Sequence, residues 1–114
     1  MASRRRRSTL LAATAAGALL TVLGSSTTAT AAVRTYPIAP GITVNVRTGP
    51  GTGYSVVRVL PVGSRVPIYC QTPGTTVTGY YGTTNIWDNV SNGEFVSDAY
   101  VNSGSDGYVA DRCA

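Results

Sequence analysis

Thr43-Val44-Asn45-Val46-Arg47-Thr48-Gly49-Pro50 is the stretch on which the fold turns. Its first five residues alternate with period two, Val44 and Val46 to one face and Asn45 and Arg47 to the other, the mark of a half-buried strand. Gly49-Pro50 then reverses the chain. Outward from it the same grammar repeats. Val56 to Leu60 reads as a second strand ended by Pro61-Val62-Gly63, and Arg65 to Cys70 as a third, with Val66, Ile68 and Cys70 sharing a face. Pro67 lacks an N–H for the ladder, so that run belongs at an edge or a bulge. Gln71 to Asn85, rich in Thr and Gly and carrying Pro73, reads as a long loop or a loosely paired hairpin. Ile86 to Val90 and Glu94 to Val96 follow as strands joined through Ser91-Asn92-Gly93, a tight-hairpin signal. Ser103 to Gly107 is a turn before a short run, Tyr108 to Ala110. No helical periodicity appears after Val33, so the class is all-β, sandwich or barrel.

The order of these motifs resembles the bacterial SH3 family. Asn45-Val46-Arg47-Thr48-Gly49-Pro50 and Gly51-Thr52-Gly53-Tyr54 resemble that family's opening N-V-R-x-G-P-x-x-x-Y. Trp87-Asp88-Asn89-Val90 resembles its W-x-x-V strand, and Gly93-Glu94-Phe95-Val96 through Tyr100-Val101 resembles its ending. The resemblance covers about Ile42 to Val101 and implies a single SH3-like small β-barrel. It also implies targeting to cell-wall peptides and glycans, although such modules are usually fused to a hydrolase. Two features depart from the pattern: the long inserted loop before Trp87, and a C-terminal extension past Val101 to Cys113. Both resemble small secreted actinobacterial members of the family.

The first third has the parts of an export signal in the right order. Arg4 to Arg7 form a basic head, Leu10 to Leu23 an apolar stretch, and Ala29-Thr30-Ala31 a small-x-small cleavage site. The apolar stretch is about 14 residues, short of the roughly 20 needed to span a bilayer. The division expected is therefore residues 1–31 as signal peptide with cleavage near Ala31/Ala32, 32–41 as an ordered lead-in, and 42–114 as the domain. The product is then secreted, extracellular or wall-associated, a monomer with no membrane partner once cleaved. Four of the nine basic residues lie in the leader, leaving five Arg against five acids. The sequence pI of 9.4 is thus a property of the leader, and nothing favours a nucleic-acid partner.

Cys70 and Cys113 are the only cysteines. In an oxidising compartment a bridge between them is expected, with two free thiols or pairing to another chain as the alternatives. Closing a loop of about 44 residues would stabilise by about 4 kcal/mol on the chain-entropy estimate.

The sequence holds no His and no Lys, which excludes Ser-His-Asp triads, Cys-His dyads, Lys Schiff bases and His zinc sites. No catalytic residue, cofactor or metal is expected. Asp88 and Asp98 are the acids placed to approach across a sheet, and a small carboxylate-based hydrolase is the remote alternative; solvated carboxylates are the ordinary reading of both. Arg47 and Arg58 read as solubilising charges, and Phe95 as core. What remains for function is aromatic surface, which suits wet interfaces with glycans or peptides. The candidate ligand contacts are Tyr80, Tyr81, Trp87, Tyr54 and Tyr100. The function expected is a non-catalytic binding module for cell-wall peptidoglycan or a short peptide. The alternative is a secreted interaction factor or inhibitor that docks on a protein through the long loop.

Overall fold

The alternating stretch forms a strand at the heart of an all-β domain. The computed structural model describes residues 33–114; the expected signal peptide, residues 1–31, and its expected cleavage site lie outside them. Seven strands follow in order: β1 (Thr35–Pro37), β2 (Val44–Arg47), β3 (Val56–Leu60), β4 (Arg65–Pro67), β5 (Cys70–Gly79), β6 (Gly82–Ser91) and β7 (Glu94–Ser97). One 3₁₀ turn, Asp98–Tyr100, succeeds β7, its first N–H groups capped by the Ser97 hydroxyl, which accepts from Ala99 N. Among the described residues no helix is long and apolar enough to cross a membrane.

Hydrogen bonding draws two antiparallel sheets. One has five strands in the order β3-β2-β7-β6-β5, and the other pairs β1 with β4. The expected single closed barrel is corrected in this respect: no ladder joins the outer strands β3 and β5. Pro61 to Ser64 turn the chain out of the large sheet after Leu60, and β4 takes its partner from the lead-in instead. That lead-in is part of the core. Tyr36 pairs with Val66, and Ile38 and Ala39 are buried.

Of the two readings of residues 71–85, the paired hairpin is the one that forms, in place of a long inserted loop. Residues 71–85 belong to a hairpin of two ten-residue strands, β5 and β6, with Tyr80 and Tyr81 as its two-residue turn between the paired Gly79 and Gly82. The β-branched Thr residues suit a pleated ladder, and β6 supplies the partner that local sequence does not display. The disorder of composition is confined to one place: the register shifts between Pro73 and Val77, so that Gly74, Thr75 and Thr76 bulge out of the pairing. The expected Asn-Gly turn between β6 and β7 is present, with Gly93 at φ 70°.

Residues opposite each other in a ladder share a face, so the register sorts the large sheet into two sides. One side carries Val44, Val46, Leu60, Ile86, Val90 and Val96, all buried. It packs on Ile38, Val66, Ile68 and Val101 to make the core. The other side carries Asn45, Arg47, Phe95, Ser97 and Trp87. Phe95 is therefore only half-buried, not core as its neighbour Val96 suggests.

The expected strand at Tyr108 to Ala110 does not form. Instead Val109 N and Ala110 N donate to the Gln71 side chain at 2.7 and 3.0 Å, and Arg112 stacks on the Tyr108 ring. Cys70 and Cys113 are joined in a disulfide, which ties the tail to the start of β5.

Candidate functional site

The non-core side of the large sheet holds a cleft of about 350 Å³ lined by Asn45, Arg47, Thr52, Val77, Trp87, Ser97 and Tyr100, with Ile42, Thr43 and Val44 at one end. A volume of this size suits a small ligand. Three elements build its walls. The 48–55 turn forms one, because the Tyr54 ring lies against the bare backbone of Gly49 and the Arg47 Nη1 donates to Thr52 O and Tyr54 O at 3.1 and 2.9 Å. β5 supplies another through Val77, next to the bulge that is tied to the turn: Thr75 N donates to Pro50 O, and Thr52 N to the Thr75 hydroxyl. Tyr100 forms the third, its ring laid over Gly79 where a Cβ has no room.

Trp87 closes the bottom. Only 2% of it is exposed, and its indole Nε1 donates to Thr75 O at 2.8 Å. It is the floor that holds the bulge in place more than a wall open to a ligand.

The five candidate contacts are thus divided among three places. Trp87 and Tyr100 meet at the cleft. Tyr54 stands half-exposed on the turn, its ring against Gly49 and Gly51, and does not line the cleft. Tyr80 and Tyr81 occupy the hairpin tip, edge to face at 4.8 Å, with 59% and 38% of each exposed. Tyr81 N donates to Ala99 O, and its ring borders a second hollow of about 290 Å³ shared with Thr83, Thr84, Asp98, Ala99, Val101, Ser105 and Asp106.

The charged residues differ from their sequence reading. Arg47 is half-buried and hydrogen-bonded, not a simple solubilising charge, whereas Arg58 is exposed and pairs at the surface with Glu94 at 2.9 Å. Asp88 and Asp98 are buried, not solvated. Asp88 shares a face with Ile86 and Val90, a parity in the sequence that marks it as inward-facing. Its Oδ1 accepts from the Gln71 Nε2 at 2.6 Å. Burial pushes the Asp88 carboxyl from 3.8 up to about 9, and the hydrogen bond and charge of Asp98 add to the rise. Burial also raises Asp98, while its hydrogen bond with Asp88 draws it down. Asp88 Oδ2 and Asp98 Oδ1 have no hydrogen-bond partner among the described residues, and a neutral Asp88 carboxyl avoids burying two like charges side by side. Among the described residues no three metal-ligating side chains gather.

No family model matches the chain. Two proteins of Bacillus subtilis (strain 168) are similar to it. Uncharacterized protein YraI is 46% identical over 98 residues, covering 79% of this chain and 82% of YraI. Uncharacterized protein YraJ is 49% identical over 87 residues, covering 69% of this chain and 74% of YraJ. The chain belongs to the family of YraI and YraJ. In this YraI-type domain, Arg47, Gln71 and Asp88 organise the structure around the cleft and the tail, and local pattern alone points to none of those partners.

Proposed function

We propose that the chain is a secreted, non-catalytic binding module of the bacterial SH3-like type, which holds cell-wall peptidoglycan by its peptide in the cleft above Trp87. The observation that carries this reading is the cleft itself. It lies on the sheet face turned away from the core, with apolar surface from Val77 and Tyr100 beside polar groups from Asn45, Arg47 and Thr52. Such a mixture orients a small ligand and shields part of it from water. Burial of Asp88 on the opposite, core-facing side supports a structural role for the acid pair over the hydrolase alternative. The disulfide suits an oxidising exterior.

Co-sedimentation with purified sacculi tests the proposal. The oxidised chain is expected to pellet with them, and Asn45→Trp, which fills the cleft from an exposed strand position, to stay in the supernatant. Pelleting of both proteins alike would sink the cleft as the site.

A second reading has its own observation. Two exposed tyrosines at the tip of a long hairpin make a contact surface for a protein. A protein partner captured by the parent chain and by Asn45→Trp, but lost on Tyr80→Ala/Tyr81→Ala, would favour that interaction-factor role.

A further inference from the structure

We infer that the cleft reads the free carboxylate terminus of a short peptide, with Arg47 as the group that grips it. The inference rests on the cleft being the binding site and names what it binds.

Among the described residues, Arg47 is the only charged one lining the cleft. Its Nη1 is spent on the carbonyls of Thr52 and Tyr54. Those two bonds fix the guanidinium plane and leave Nε and Nη2, the parallel pair of donors on its other edge, without a partner among the described residues. That edge is the fork that matches a carboxylate bidentately.

No acid of the domain serves it. Glu94 is paired with Arg58, the one ion pair among the described residues. Asp88 and Asp98 are buried and engaged with each other, and Asp106 and Asp111 lie on the tail segment beyond Val101. A half-buried cation held rigid in an apolar-sided cleft, with no internal counter-charge, fits an anion from outside.

The rest of the lining narrows the anion. Asn45 lies two residues before Arg47 on the same face of β2, and its amide makes no hydrogen bond among the described residues. One donor and one acceptor on a primary amide match the N–H and C=O of a peptide unit next to the terminus. Val77, Ile42 and Tyr100 offer apolar surface to small side chains. The volume accommodates a few small residues and no folded partner, and the carboxylate that matches the Arg47 fork makes a chain end the occupant inferred.

The test uses the purified, disulfide-bonded chain and three probes: acetyl-trialanine with a free carboxylate, the same peptide as its amide, and sodium acetate. Binding is followed by NMR at the Arg47 Nε–H, the Asn45 side-chain amide and the backbone of β2. The acid is expected to bind at least about tenfold more tightly than the amide, to shift the Arg47 Nε–H, and to weaken as salt rises while the amide does not. Arg47→Lys keeps the charge but lacks the fork, and should lose most of the preference for the acid.

Equal binding of acid and amide overturns the carboxylate inference and leaves the cleft as a site. Acetate binding as tightly as the peptide acid overturns the peptide ligand. If none of the probes binds while sacculi still pellet the parent chain and not Asn45→Trp, the inference fails and the proposed function stands. If sacculi fail as well, both fall.

Discussion

Ionising a carboxyl inside a protein costs far more than in water, and neither Asp88 nor Asp98 has a cation among its hydrogen-bonding partners to offset that cost. The consequence has a definite sign. The folded state holds the Asp88 proton up to about 9, whereas an unfolded chain releases it near 3.8. The pair's contribution to stability is therefore complete below about 3.8 and is lost as pH rises through about 9. The domain should tolerate acid better than alkali in this respect. Asp88→Asn keeps the shape, can still accept from Gln71 and can donate to Asp98. It should be more stable than the parent at pH 8 to 9 by on the order of 1–3 kcal/mol, with a flatter profile between pH 5 and 9. Urea midpoints across that range check it, and parallel curves for the two proteins would remove the retained Asp88 proton from the account. The inward direction of Asp88 is legible in its parity with Ile86 and Val90. Its partners are not, since Gln71 and Asp98 lie on other elements.

At the scale of elements, the bulge in β5 ties the 48–55 turn to Trp87 on β6. Gly74 sits where Pro50 carbonyl and the Trp87 ring leave no room for a Cβ. Thr75 exchanges hydrogen bonds with Pro50, Thr52 and Trp87. Gly74→Ala is therefore expected to cost about 1–3 kcal/mol, as overpacking does, and to loosen the cleft. A lowered melting temperature together with red-shifted Trp87 fluorescence would show both effects. An unchanged emission spectrum would mean that the bulge does not hold the floor. Composition marks this segment as Thr- and Gly-rich but does not say that it pairs. Pairing depends on β6, and the Gly at 74 answers a contact 24 positions away.

The whole molecule is closed by its tail. Gln71 is fully buried and acts on three groups at once: its Nε2 donates to Asp88, and its Oε1 accepts from Val109 N and Ala110 N. Gln71 N donates to Asp111 O, Cys113 N donates to Gln71 O, and the disulfide lies beside them. Replacing Cys70 and Cys113 by Ser should cost about 2–4 kcal/mol and expose the amides of Val109 and Ala110 to exchange before those of β2 and β7. Uniform loss of protection would instead place the tail within one cooperative unit with the sheet. The sequence by itself determined the all-β class, most strand positions, the Asn92-Gly93 turn and the two cysteines available to bond. These follow from alternation, turn chemistry and counting, which act over a few residues. Only the tertiary structure decided that Trp87 is a floor, that Tyr80 and Tyr81 form a hairpin tip apart from it, and that Arg47 faces a cleft without a counter-charge. Those are facts of register and approach between segments far apart in the chain, and no local pattern encodes the distance between them.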